Sequence, residues 1–182
     1  MIEMVKLLDY DKMVFSAKSK ATANKSSGAY NLEQMTLNLK NGFNINMDGS
    51  FDGLQALFKD GATTEDIEAM GKTFKLNNFA FSIEDKSILD RAFKIYAQQA
   101  GIKPEAARVQ AKAGLGVIGL MGAAQPGGEV LAEISEAASK FVGDGGTLTF
   151  KLNPSTPLSA AEIEDIQRSQ NLKALGLSVT HK

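Results

Sequence analysis

Three times along this chain an alternating, Asn- and Thr-rich strand runs through a turn into an amphipathic helix. The strands are Thr36–Met47 (TLNLKNGFNINM), Phe74–Ile83 (FKLNNFAFSI) and Thr147–Leu152 (TLTFKL), and the helices begin near Leu54, Ser87 and Ser159. Upstream, Lys12–Ala21 alternates too, with Phe15, Ala17 and Ala21 on one face and Lys18 and Lys20 on the other. Thr22–Ala29, rich in Ser, Asn and Gly, reads as a loop. Met35, Leu37 and Leu39 then recur at spacing two, and Phe43, Ile45 and Met47 resume the pattern after Asn41-Gly42. That dipeptide signals a hairpin, or a bulge inside one bent strand. Phe79, Phe81 and Ile83, and later Leu148, Phe150 and Leu152, complete the series, with Leu177–Thr180 as a last short strand. One apolar and one polar face per strand predicts an antiparallel sheet with one solvated or ligand-facing side.

The helices announce their starts. Thr63, Ser87 and Ser159 each stand three residues before an acid (Asp66, Asp90, Glu162), the spacing of a capping box. Ile88, Leu89, Ala92, Phe93, Tyr96 and Ala100 predict one apolar stripe, closed by Gly101. Pro104 suits the first turn of the next helix. A helix from about Glu129 to Gly143 places Val130, Ile134, Ala138 and Phe141 on one face. The last helix holds Ile163 and Ile166, followed by Leu172 and Leu175. The whole predicts one α+β domain over residues 1–182: a curved antiparallel sheet of five or six strands with amphipathic helices on one face.

Composition narrows the functions open to it. With 20 basic against 21 acidic residues and few aromatics, no field or stacking platform favours nucleic acid. The absence of Cys removes disulfides, thiolate nucleophiles and Cys-based metal sites. The single His, His181, is the penultimate residue, where chain ends usually fray. The start MIEMVKLLDYDK carries acids among its apolar residues and does not read as a signal peptide.

Four motifs invite chemistry. Gly114-Leu115-Gly116-Val117-Ile118-Gly119 matches the dinucleotide fingerprint, which needs a strand before it and a helix after. Here helix precedes it, so a close-packed or glycine-broken helix is the plainer reading. The surrounding run Ala113–Gly128 is uncharged but too short to span a bilayer. A buried helix is its default reading, and a helix lying on a membrane surface or partner the alternative. Asp48–Gly53 (DGSFDG) resembles the start of a calcium loop, yet its twelfth position is Lys59; a turn with Asp52 capping the next helix fits better. Glu84, Asp85, Asp90 and Arg91 cluster where acids also complement a helix dipole. Asn24-Lys25-Ser26 is a formal glycosylation sequon. No catalytic, cofactor-binding or metal-ligating residue is assigned.

FSIEDKSILDRAFKIYAQQAGIKPEAAR, GGTLTFKLNPSTPLSAAEIEDI and the closing LGLSVT together resemble the C-terminal region of bacterial envelope proteins of the AsmA-like type. The resemblance implies a periplasmic or envelope location, close to a membrane, and a curved sheet that holds or passes lipid-like amphipathic molecules. The chain departs from that type in having no leader or anchor helix, as a fragment of a longer envelope protein would. The expectation is thus a non-enzymatic envelope domain with a lipid or envelope-protein partner and no transmembrane helix. A scaffolding domain is the first alternative and a carboxylate-based enzyme the second; without the resemblance, the cytoplasm is the other location.

Overall fold

The computed structural model describes residues 8, 10–125, 128–169 and 171–182, so most of the acid-bearing start MIEMVKLLDYDK lies outside the described residues. Strands β1 (Phe15–Asn24), β2 (Ala29–Leu39) and β3 (Phe43–Asp52) form a meander. Helix α1 (Thr64–Thr73) leads into β4 (Lys75–Asp85). Three helices follow: α2 (Ile88–Ala100), α3 (Pro104–Ala123) and α4 (Gly128–Asp144). Then come β5 (Thr147–Leu152), the two-residue β6 (Leu158–Ser159), α5 (Ala160–Ser169) and β7 (Leu177–His181). The sheet runs β1-β2-β3-β4-β5-β7, with β6 also on β4, and every pairing is antiparallel. The described sheet thus has seven strands rather than five or six. Register shifts near Ala21, between Leu32 and Met35, and at Ser50 bend it.

The register turns the alternation into rows. Ala17, Leu37, Ile45, Ile83 and Leu148 lie side by side, as do Ser19, Met35, Met47, Phe81, Phe150 and Val179. Against one end of this apolar face α4 lays Ala137 and Phe141, which meet Leu148, with Ile83, Leu89, Phe150 and Val179 packed around them. Helix α3 packs on α4 through its glycines. A Cβ on Gly119 would stand 2.8 Å from that of Ser135, and one on Gly122 2.8 Å from that of Leu131. Helical cover stops short of β1, all ten of whose residues are exposed.

Several local expectations need correction. The segment after Leu54 is only a 3-10 turn, Gln55–Phe58, and the helix waits for Thr63. There the capping box forms in full: Thr63 Oγ1 accepts from the Asp66 N–H and Asp66 accepts from the Thr63 N–H. The Ser159–Glu162 box forms as well. Ser87 does not cap; its φ of +133° aims the hydroxyl at the Asn41 carbonyl, 2.6 Å away. Asp85 takes its place, with Oδ1 accepting from the N–H groups of Ser87 and Leu89. On α2, Ala92, Tyr96 and Ala100 face solvent, while Leu89, Phe93 and Ala97 turn inward. The supposed loop from Thr22 is strand as far as Asn24, whose side chain accepts from the Ser26 and Ser27 N–H groups to make the turn. Asn41-Gly42 closes a hairpin rather than a bulge, with Asn41 at φ +57°. His181 is not frayed: it sits in β7 and its Nε2 donates to the Gly145 carbonyl at 2.7 Å.

The first box sets a pH signature. Lys59, then the Thr63 N–H and hydroxyl, favour the ionised Asp66 and lower its pKa to about 2. Folding therefore favours the charged form, so this stabilisation is complete above the ordinary carboxylate range and is lost as pH falls toward about 2. A carbon-detected NMR titration of Asp66 should show that midpoint, and Thr63→Ala should raise it toward the usual carboxylate value. An ordinary midpoint in the unaltered chain would rule the box out in solution.

Candidate functional site

The sequence motifs do not converge on one place. Gly114–Gly119 lies inside α3, with helix on both sides, so it forms no strand-to-helix cradle for a pyrophosphate. Its first two glycines face open space, and only Gly119 packs, against α4. Asp48, Ser50 and Asp52 follow one another along β3, and among the described residues no group of three or more His, Asp or Glu could hold a metal ion. Alternate strand residues advance about 7 Å, which spreads such oxygens instead of gathering them. Asp52 is not the expected helix cap either: it is the last residue of β3 and accepts from Asn77 Nδ2 at 2.8 Å. Lys59 pairs with Asp66.

The carboxylate cluster is equally committed. Glu84 pairs with Lys86 and accepts from Asn44 Nδ2 at 2.8 Å, and these contacts, Lys86 first, hold its pKa below the ordinary value. Asp85 caps α2, and Asp90 meets Arg108 across to α3. Arg91 donates to the Leu8 carbonyl and lies over the Tyr10 ring, 4.0 Å from its centroid. Every clear shift among the described carboxylates is downward, at Asp66, Glu84, Glu136 and Glu162. General acid catalysis near neutral pH asks for the opposite shift. Asn24, the sequon residue, uses its side-chain oxygen in the β1–β2 turn.

Three surfaces remain. The polar sheet face carries a chain of side-chain bonds: Thr36 to Asn46, Asn38 to Asn44, and Asn44 to Glu84. Thr36, Asn38, Asn44 and Asn46 floor an open hollow of about 600 Å³ walled by Lys18 and Lys20. Between α2, α3 and α4 lies a groove of about 430 Å³, bounded by Phe93, Arg108 and Lys112. Arg108 spans it, donating to the Val142 and Gly143 carbonyls at the end of α4, so its charge serves that helix terminus.

The third surface is the outward side of α3. Val117, Ile118, Leu120 and Met121 are 55%, 59%, 76% and 69% exposed, inside a run without charge. The buried side of the same helix is made of Ala107, Gly119 and Gly122. Small residues thus face the protein and large apolar ones face out, reversing the default expectation that this run is buried. The adjacent pairs Val117-Ile118 and Leu120-Met121 spread apolar bulk about 100° apart on the helix, wider than the glycine seam can cover. Among the described residues no helix is long and apolar enough to cross a membrane.

Comparison with known proteins adds one relationship. No curated protein and no solved structure matches the chain. A family model described as "Uncharacterized protein" matches residues 36–182, from the middle of β2 through β7, and the chain belongs to that family.

Proposed function

We propose that the chain is a non-enzymatic domain of the bacterial cell envelope, AsmA-like in type, that engages lipid-like amphipathic molecules through the outward face of α3. The observation that carries this reading is the exposure of Val117, Ile118, Leu120 and Met121 in the uncharged second half of α3. Each large apolar side chain gains roughly 1.5–3 kcal/mol when fully taken out of water. A shallow apolar phase would therefore stabilise this face without any spanning segment. The committed state of the carboxylates and the resemblance of the strand and helix segments point the same way.

The test is co-sedimentation of the full chain with vesicles of phosphatidylethanolamine and phosphatidylglycerol, alongside native mass spectrometry after lipid extraction. Binding is expected, with a loss of at least about tenfold when Leu120→Asp and Met121→Asp are combined, because two charges would have to enter the apolar layer. Both positions are exposed, so the circular dichroism of the variant should match that of the parent. A chain that stays in the supernatant and appears only as a lipid-free species would overturn the reading.

A protein-interaction role is the second reading, and a separate observation favours it. Nothing lies within 4 Å of a Cβ built on Gly114 or Gly116, so a second helix could approach this face closely. Retention of a stoichiometric protein instead of lipid would select it.

A further inference from the structure

We infer that in water the outward face of α3 is covered by the same face of a second copy, the two helices crossing antiparallel about a two-fold axis. Along α3 the exposed positions Ala106, Val109, Ala113, Gly116, Leu120 and Ala123 recur at spacings of three and four, which makes them one continuous stripe. None of the six carries a charge. Read backwards, their spacings are unchanged. A two-fold axis between Gly114 and Leu115 therefore sets Leu120 against Val109 of the copy, Gly116 against Ala113, and Ala123 against Ala106.

Shape and charge both suit this occupant. Crossing helices are closest at the crossing and diverge from it, so small residues belong at the centre and larger ones farther out. Ala113 and Gly116 stand at the centre, with Val109 and Leu120 beyond them, and nothing lies within 4 Å of a Cβ built on Gly114 or Gly116. A second copy brings the same profile to the same crossing. The charges of α3, Glu105, Arg108 and Lys112, all lie in its first half. The antiparallel arrangement carries Glu105 and Arg108 to opposite ends of the pair, whereas a parallel one sets each beside its own copy. Lys112, nearest the centre, lays its ammonium over Gly143 of α4, away from the stripe. Val109, Val117, Leu120 and Met121 are each more than half exposed, and two such faces together reach on the order of 1,000 Å², where specific interfaces begin. The pair should thus be weak and part on dilution. The inference rests on the reading of this face as an interaction surface, and names its occupant when no lipid is present.

Sedimentation of the full chain without lipid, from micromolar to submillimolar concentration, should show the 19.4 kDa species give way to one of twice that mass. Leu120→Asp, altered at an exposed position, should weaken the pair at least about tenfold, because its charge must leave water on pairing. Orientation is read by cysteine cross-linking, since the chain has no Cys of its own. A disulfide needs Cα atoms within about 7 Å. Under mild oxidation a mixture of V109C and L120C should therefore cross-link while either variant alone does not. A chain that stays monomeric throughout would overturn the inference, as would single variants that cross-link as readily as the mixture. The lipid reading is judged separately. A monomer that still sediments with the vesicles sinks the pairing and leaves that reading standing, and a pair that ignores them upholds the pairing alone.

Discussion

Replacing Phe141 by Ala should destabilise the protein by about 3–5 kcal/mol, enough to lower the folding equilibrium constant at least a hundredfold. Phe141 is 7% exposed and comes from α4 onto Leu148 of β5. The surrounding wall is drawn from β4, α2 and β7, through Ile83, Leu89 and Val179. Neighbours anchored in so many elements cannot all move into the space a ring leaves, so both lost burial and a residual cavity contribute. The same cluster couples α4 to the sheet, and α3 rests on α4, so the presentation of the α3 face depends on this contact. Tyr96→Ala is the contrast: half of Tyr96 is exposed, and its loss should cost under about 1 kcal/mol. Urea unfolding of both variants measures the difference. A Phe141→Ala cost below about 1 kcal/mol would mean that α4 does not pack on the sheet this way.

The sheet was legible because alternation is a local property that survives into the fold. Phe79, Phe81 and Ile83 share one face of β4; Phe81 and Ile83 meet Met47 and Ile45 of β3, and all three meet apolar partners in β5. Helix starts were legible where a hydroxyl and an acid could close a box without help, as at Thr63 and Ser159. Ser87 failed because tertiary structure claimed it. Its hydroxyl is taken by the Asn41 carbonyl, in a turn 46 residues earlier in the chain. The α2 stripe was misplaced for a related reason: Ala92 and Tyr96 satisfy the helical period, but nothing packs over their side of α2 closely enough to bury them. Nearness to the chain end does not loosen His181. Pairing with β5 and a bond to Gly145 hold it instead.

The candidate surfaces were less legible than the fold, and α3 shows why. Composition marked Ala113–Gly128 as uncharged, which describes a buried helix and a docking helix equally well. Only the third dimension says which side meets α4. Gly119 and Gly122 admit the Ser135 and Leu131 side chains so closely that no larger residue fits there. The bulky residues are thereby turned outward. The β1 edge is hidden from sequence in the same sense, since alternation gives a strand its faces but not its position in the sheet.

Gly53→Ala should be the most damaging small change at a turn, costing about 3 kcal/mol or more. Gly53 has φ +78°, a region that costs an L-residue roughly 1–2 kcal/mol. Its added methyl would lie 2.0 Å from the Thr73 carbonyl oxygen and 2.8 Å from the Phe74 nitrogen. Both are backbone atoms and cannot rotate aside, and the Thr73 hydroxyl already holds the Gly53 carbonyl at 2.9 Å. Relief would require the exit of β3 to separate from the end of α1, adding an overpacking cost of about 1–3 kcal/mol. Gly61 supplies the control. It too has a positive φ, +70°, but nothing lies within 4 Å of a Cβ added there, so Gly61→Ala should show the conformational cost alone. This pair also separates two accounts of the Asp48–Gly53 motif. If Gly53 serves an ion loop, calcium should raise the melting temperature of the parent chain and Asp52→Ala should abolish that rise. If it serves the close approach of β3 to α1, calcium should leave both unchanged while Gly53→Ala unfolds several degrees earlier than Gly61→Ala. The contact with Thr73 and the bond from Asn77 to Asp52 lead us to expect the second result.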